Sequence, residues 1–315
     1  MATEYAIETH HLVKKYGEFA AVNGLSLRIG KGELFGFLGP NGAGKTTTIR
    51  MLTTLTRPTE GNAKVAGFDI VADGDKVRAR IGVVPQSFSL FEELTPAENL
   101  NFIGELYGME KAEIREKTEE LLKTAGLWEK KDLVCAGFSG GMKQRLSVAA
   151  SLLHTPEILF MDEPTTGLDP QSRIALRELT QKLNESGITV VYTTHDMEEA
   201  DKLCDRIAIM DKGKVIAQGT SEQLKNEHGS GHLIRVELES RVEGIESELN
   251  KLARNSKITY RGNVIEVHTK SIAQGLVYKI SSLLSKKKAK VRDLRVSEPS
   301  LEEVFINLTR KEFRD

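Results

Sequence analysis

The 315-residue chain predicts an α/β nucleotide-binding domain followed by a second, smaller α/β domain, and three observations lead there. An apolar run, Glu33 to Leu38, passes through the glycine-rich turn GPNGAGKTT (Gly39 to Thr47) into TIRMLTTL, which has helical spacing. A second apolar run, EILFMDEP, ends in the adjacent carboxylates Asp162 and Glu163. From residue 232 onward the periodicity runs strand, helix, strand, strand, helix, strand, the order of a ferredoxin-like sandwich.

The first turn has the GxxxxGK[ST] spacing of a phosphate cradle. Gly39, Gly42 and Gly44 carry no Cβ, so the backbone of the loop they form with Pro40, Asn41 and Ala43 can close on an anion and point N–H groups at it. The helix that starts there adds its positive end. Lys45 can reach the β- and γ-phosphates as a compact cation, while the Thr46 hydroxyl, followed by Thr47, is placed to ligate Mg²⁺. The motif in its strand-turn-helix setting predicts a nucleoside-triphosphate site.

Upstream, residues 5–12 and 22–29 alternate like half-buried antiparallel strands joined by KKYGEFA. Tyr16 sits in that connection, where its ring can pack locally or stack on a purine. His10 and His11 lack partners in pattern and are read as structural. RPTEG at 57–61 is a turn, NAKVAGFDI a short strand, and ARIGVVPQ a strand ending at Gln86. The Gln86 amide is either a turn residue or a group that reaches the metal and the γ-phosphate and moves when the phosphate leaves. Phe88, Leu90 and Phe91 follow in a loop that can pack on its own domain or receive a partner. Residues 96–126 are strongly helical, with Pro96 in a first turn and Glu-Lys pairs at helical spacing.

In FSGGMKQRLSVAASLL (138–153), Ser139, Gly140 and Gly141 open another helix. Ser139 fits an N-cap, and the turn also fits a second anion site, whose phosphates another subunit would have to bring. Asp162 at the end of its strand can hold a Mg²⁺ shell opposite Thr46, and Glu163 can polarise an attacking water. TTGLDP is a turn in which Asp169 can fix the geometry of an interface. The strand ITVVYTTH ends at His195, placed to hydrogen-bond a γ-phosphate or to orient Glu163. Strands RIAIMD and VIAQG then form a hairpin that closes the domain near Leu224.

No run approaches the about 18 apolar residues a membrane span needs, and MATEYAIETHH lacks the pattern of a secretory leader, so a cytosolic chain is expected. Cys135 and Cys204 have no metal-ligand spacing and fit buried side chains in a reducing compartment. Net charge is −1, which argues against nucleic acid as a partner. Residues 232–315 hold 17 basic against 12 acidic side chains, and the excess centres on Lys286, Lys287, Lys288 and Lys290. That cluster suits a helix C-terminus and a solvated face, with an anionic membrane surface or acidic partner as the alternative.

Taken together, Tyr16, GPNGAGKTT, Gln86, FSGGM, ILFMDEP, GLD and His195 resemble, in order and spacing, the ATPase subunits of ATP-binding cassette (ABC) transporters over about residues 5–224. Phe138 stands where that family often has Leu before SGG. The resemblance implies a P-loop NTPase cassette with a mixed sheet core, an antiparallel β subdomain and a helical subdomain at about 88–150. It implies ATP and Mg²⁺ as cofactors, the metal near Thr46, Gln86 and Asp162, with Tyr16 on adenine and Val22 beside the nucleotide. Glu163 would act as general base, His195 as switch and Lys45 on the phosphates. A head-to-tail dimer, of identical or closely related subunits, would sandwich each ATP between one phosphate loop and the partner's Ser139–Gly141 turn, with Asp169 at the seam. A membrane permease would dock near Phe88–Leu94 and the helical subdomain, holding the chain peripherally at the inner face of the membrane.

The domains expected are 1–225, a linker NEHGSG at 226–231, and an accessory α/β domain at 232–315. In that tail the expected elements are strand 232–239, helix 242–253, the hairpin ITY/VIEVHT, helix 272–285, strand 290–297 and helix 300–310. Its ending, VSEPSLEEVFINLTR, resembles drug-resistance (daunorubicin/doxorubicin exporter) ABC ATPases, which implies export of a drug, lipid or other small substrate. A soluble ABC ATPase acting on nucleic acid or ribosomes is the alternative, disfavoured by the single cassette and the lack of a long coiled-coil insertion. A regulatory ATPase with a sensor tail is the third reading.

Overall fold

The computed structural model describes residues 5–229, 231–242, 244–253, 256–269 and 275–312, in two compact units that meet at Gln218 and Gly219. In the first unit β1 (Tyr5–Tyr16) and β2 (Phe19–Gly30) form a long hairpin, and β3 (Leu34–Leu38) leads through the glycine turn into α1 (Lys45–Leu52). Then come β4 (Glu60–Val65), β5 (Phe68–Asp69), α2 (Gly74–Arg78) and β6 (Ile81–Val84). Helices α3 (Pro96–Leu106), α4 (Lys111–Thr124) and α5 (Gly140–Leu152) precede β7 (Ile158–Asp162), α6 (Pro170–Glu185), β8 (Thr189–Thr194) and α7 (Met197–Leu203). Strands β9 (Arg206–Asp211) and β10 (Lys214–Gly219) complete it.

The central sheet has the order β10-β9-β3-β8-β7-β6, with β9, β3, β8, β7 and β6 parallel. All residues of β3, β7 and β8 are buried, which is why none of the three alternates and why β3 and β7 read as apolar runs. Because β8 lies between β3 and β7, the register sets Leu38 beside Thr194 and Asp162 beside Thr193. The segments leaving the carboxyl ends of these three strands are therefore neighbours, the position at which parallel sheets bind ligands.

A second sheet, β2-β1-β4-β5, is antiparallel. Here β1 runs past the residue-12 end expected from sequence, so Tyr16 is its last residue, paired with Phe19, and not part of a loop. Register shifts between Thr9 and Lys15 carry the strand through KKY although the alternation breaks there. Both sheets share one core, in which Ile7, Leu25, Ile29, Phe35, Phe37, Met51, Phe160 and Val191 are buried. Helices α3, α4 and α5 have a core of their own around Leu100, Leu122, Leu146 and Leu153. A capping box between Thr95 and Glu98, with Pro96 at the first helical position, starts α3.

The second unit comprises α8 (Ser221–His228), β11 (His232–Leu238), α9 (Ile245–Leu252), β12 (Lys257–Arg261), β13 (Val264–Thr269), α10 (Leu276–Lys286), β14 (Val291–Ser297) and α11 (Leu301–Glu312). Its sheet order, β12-β13-β11-β14, is that of the ferredoxin-like sandwich, and α9 and α10 bury Leu249, Ile280 and Leu284 against Ile234, Val236, Ile265 and Val267. Residues 226–228, expected as linker, are the last turn of α8, because a capping box between Thr220 and Gln223 nucleates a helix that the polar composition concealed. Linker position 230, helix positions 243 and 272–274, and residues 313–315 of the expected tail domain lie outside the described residues. Among the described residues no helix is long and apolar enough to cross a membrane.

Candidate nucleotide site

A cleft of about 470 Å³ opens at the carboxyl end of β3, and Tyr16, Asn41, Gly42, Gly44, Lys45, Thr46, Thr47, Gln86 and Glu163 line it, together with Phe19 and Ala21. Its floor is the glycine turn. A Cβ on Gly39 would come within 2.3 Å of the Met210 carbonyl oxygen, and one on Gly44 within 2.4 Å of the Ala21 carbonyl oxygen. Gly44 also has φ +105°, so only glycine lets the loop lie this close to β2 and β9. Ala43 is buried and its N–H donates to the Pro40 carbonyl, which closes the loop. Helix α1 starts at Gly44 without a side-chain cap among the described residues, leaving its first N–H groups directed at the cleft.

Lys45 is buried, and its Nζ donates to the carbonyls of Gly39 (2.7 Å) and Pro40 (3.1 Å) while lying 3.0 Å from Glu163 Oε1. Asp162 Oδ1 accepts from Thr46 Oγ1 at 3.2 Å and from Thr193 Oγ1 at 2.6 Å. Glu163 has φ +45°, in the left-handed region that non-glycine residues rarely occupy. Its N–H is held by the Thr193 carbonyl and hydroxyl, at 3.1 and 2.9 Å. Its Oε2 lies 3.0 Å from His195 Nδ1 and accepts from Thr166 Oγ1 at 3.2 Å.

Burial pushes the Glu163 carboxyl up, but the hydrogen bond and charge of Lys45, joined by His195, outweigh it and hold the group below the ordinary glutamate value. The ionised carboxylate can only accept, so His195 Nδ1 carries the shared hydrogen. A carboxylate, a cation and an imidazole thus converge beside the glycine turn.

The aromatic end of the cleft is Tyr16, half-exposed and approached by Lys14 Nζ at 5.2 Å from the ring centroid, with exposed Phe19 across the hairpin. Val22, expected beside the nucleotide, is instead fully buried in the core shared with Leu25 and Phe37. Its strand turns it inward, so it packs and offers no surface to a ligand. Gln86 stands exposed on the rim.

Ser139, Gly140, Gly141 and Asp169 form a separate cluster. Ser139 caps α5, its Oγ accepting from the Met142 N–H at 3.3 Å, and it is exposed together with Gly140. Gly141 is buried against α6, where a Cβ would come within 2.1 Å of Ser172 Oγ. Asp169 caps α6 by accepting from the Ser172 N–H and hydroxyl, at 3.0 and 2.6 Å, and these bonds hold its carboxyl below the ordinary value. Thr166, Thr193 and Phe19 escaped the sequence reading. Thr193 had one visible signal, a hydroxyl near the end of its strand, whereas Thr166 lies in the turn TTGLDP and had none.

The chain matches the family model described as ABC transporter over residues 22–166, and that of the ATP-binding protein DrrA1-3-like C-terminal domain over residues 219–309. It is 40% identical over 312 residues to the linearmycin resistance ATP-binding protein LnrL of Bacillus subtilis (strain 168), covering 98% of this chain and 100% of that one. It is 43% identical over 307 residues to the daunorubicin/doxorubicin resistance ATP-binding protein DrrA of Streptomyces peucetius, covering 96% and 92%. Its fold is similar, with a TM-score of 0.61 and 32% identity over 68% of this chain and 98% of the other, to an ATP-binding cassette solved as a dimer in a post-hydrolysis state with ADP and Pi.

Proposed function

The chain belongs to the ABC transporter family of ATP-binding proteins, and from that premise we propose that it energises export of a drug, lipid or other small substrate through a separate membrane permease. The observation that carries the site assignment is the meeting of Lys45, Glu163 and His195 at 3.0 Å contacts beside an uncapped helix start. The turn Gly39–Thr47 binds the phosphates through its N–H groups, and Tyr16 stacks on adenine. Phosphate oxygens compete for the Lys45 ammonium; the Glu163 carboxylate it leaves then takes a proton from the attacking water. His195 keeps that carboxylate aimed.

Thr46, Asp162 and Gln86 offer the hard oxygen donors that suit Mg²⁺. Among the described residues no cluster of three or more His, Cys, Asp or Glu could cage a metal, which fits an ion that takes most of its shell from phosphate and water. When bound, Mg²⁺ neutralises charge developing on the β- and γ-phosphate oxygens.

A second copy completes the site in this reading, its exposed Ser139–Gly140 turn facing the γ-phosphate, as the dimeric state of the similar cassette supports. Phe88 and Phe91, 40% and 47% exposed, form the patch on which the permease docks, together with the helices α3 and α4, and this keeps the chain at the inner membrane face. The first unit is the ATPase and the second an accessory domain beginning earlier than the sequence suggested.

The test is Glu163→Gln. ATP binding should persist, steady-state hydrolysis should fall about 10²–10⁴-fold, and ATP should trap a dimer visible by size-exclusion chromatography. Hydrolysis at the wild-type rate would remove Glu163 from its role.

A further inference from the structure

A third buried carboxylate, besides Asp162 and Glu163, makes its hydrogen bonds to residues outside the cleft lining. Glu199, on α7, is 4% exposed, and its Oε2 accepts two hydrogen bonds, from Thr165 Oγ1 at 2.9 Å and from Thr194 Oγ1 at 3.0 Å. Both threonines are buried. Thr165 is two residues beyond Glu163, and Thr194 immediately precedes His195. One oxygen atom therefore ties the segment leaving the base to the segment carrying its imidazole partner. Thr194 Oγ1 also accepts from the Asp196 N–H at 2.9 Å, and Asp196 caps α7 by accepting from the Glu199 N–H at 3.1 Å, so the carboxylate is fixed from its own backbone outward.

Burial and then the Glu199 charge push the nearby Tyr192 phenol well above the ordinary range. An ionised carboxylate is costly at such a depth unless it is hydrogen-bonded, and among the described residues this one accepts from two threonine hydroxyls. The backbone at Glu163 explains what the arrangement holds. A left-handed φ on a glutamate is strained and persists only where the surroundings over-determine it. Thr193 holds Glu163 directly through its N–H. Thr165, bound to Glu199, holds it from the chain's other direction.

We propose that Glu199 is a positioning residue for ATP hydrolysis, fixing Glu163 in its left-handed conformation and keeping His195 Nδ1 within hydrogen-bond distance of Glu163 Oε2. The proposal rests on the base and switch roles given above to Glu163 and His195.

Glu199→Ala should lower kcat about 10–100-fold, as small misplacements of a catalytic group do, while KM and ATP affinity change less than about threefold. Glu199→Gln, whose side-chain oxygen can accept from both threonines, should restore kcat to within about threefold of wild type. Thr165→Val and Thr194→Val, gentler on folding, should each cost a smaller part of kcat with the same KM. In a Glu163→Gln background, Glu199→Ala should change residual turnover less than about twofold, because the residue acts through the base. The proposal is overturned if Glu199→Ala keeps wild-type kcat, if its kcat, ATP affinity and melting temperature fall together without rescue by glutamine, or if its effect persists undiminished without Glu163. Full activity of Glu163→Gln alone would instead sink the underlying assignment.

Discussion

At α1 the chain enters its helix through Gly44 at φ +105°, with no side chain capping the first turn among the described residues; at α5 it enters through Ser139, whose hydroxyl takes the Met142 N–H. Both turns read as glycine-rich anion sites in the sequence. In the fold, the first lies on a cleft floor with the buried Lys45 beside it, and the second lies at the surface with Ser139 and Gly140 exposed. Their glycines differ too. Gly39 and Gly44 are bare so that the loop can press against carbonyls of neighbouring strands, whereas Gly141 is bare because Ser172 of α6 fills the space of a side chain. The lesson is that α1 leaves its first N–H groups without a side-chain cap beside a cleft, while α5 satisfies one N–H internally at an exposed surface.

The largest effect that separates the two turns is expected at Lys45. Lys45→Ala removes the cation from the cradle and from Glu163, whose side chain is 8% exposed, so hydrolysis should fall at least about 10²-fold with a loss of ATP affinity. Leaving the carboxylate buried without its cation should also cost about 3 kcal/mol of stability, since the His195 and Thr166 contacts compensate only in part. Urea denaturation at neutral pH and an ATPase assay read both. Normal ATP affinity in this variant would mean that α1 does not bind phosphate, and the contrast with α5 would dissolve.

The parts of this contrast that were legible in sequence are those written in contiguous residues. GPNGAGKTT, the strand ending Asp162-Glu163 and the βαββαβ tail each carry their geometry within a short stretch, so spacing alone reports them. Helix α6 was legible in principle, since Asp169 and Pro170 form an N-cap and first position, but TTGLDP read more strongly as a turn. Val22 misled because strand alternation does not reveal which of two packed surfaces a residue meets. Glu199 was hidden most completely. It lies in the acidic segment DMEEADKLC, where a carboxylate looks solvated, and it is buried once α7 packs on β3 and β8 and beside the exit from β7. Thr193 likewise gains its role from parallel register between β7 and β8, which joins residues some thirty positions apart, and Thr166 gains its role from the turn that follows β7.

A smaller effect sharpens the comparison from the other side. Ser139→Ala should cost about 1 kcal/mol through the lost cap and lower hydrolysis roughly tenfold, yet leave ATP affinity of the dilute protein within about twofold. Loss of affinity matching that of Lys45→Ala would place Ser139 in the same cleft as Lys45 and abolish the distinction.

The smallest effect is the pH dependence of these two stability losses. The Glu163 carboxyl titrates below its ordinary value of 4.5, because Lys45 and His195 outweigh the upward push of burial. A carboxylate depressed in the folded state contributes stability that is complete above its unfolded value and is lost as pH falls through the folded one. The gap between wild type and Lys45→Ala should therefore be widest at neutral pH and narrow as acid protonates Glu163, which happens first in the variant that lacks the cation, by less than about 1.4 kcal/mol per pH unit. The gap between wild type and Ser139→Ala should stay flat as pH falls, since a serine hydroxyl does not titrate there. Chemical denaturation of the three proteins at pH 7, 5 and 4 measures both gaps. Parallel narrowing of the two would show that acid acts on the unit as a whole, and that the ion pair in the cleft is not what distinguishes α1 from α5.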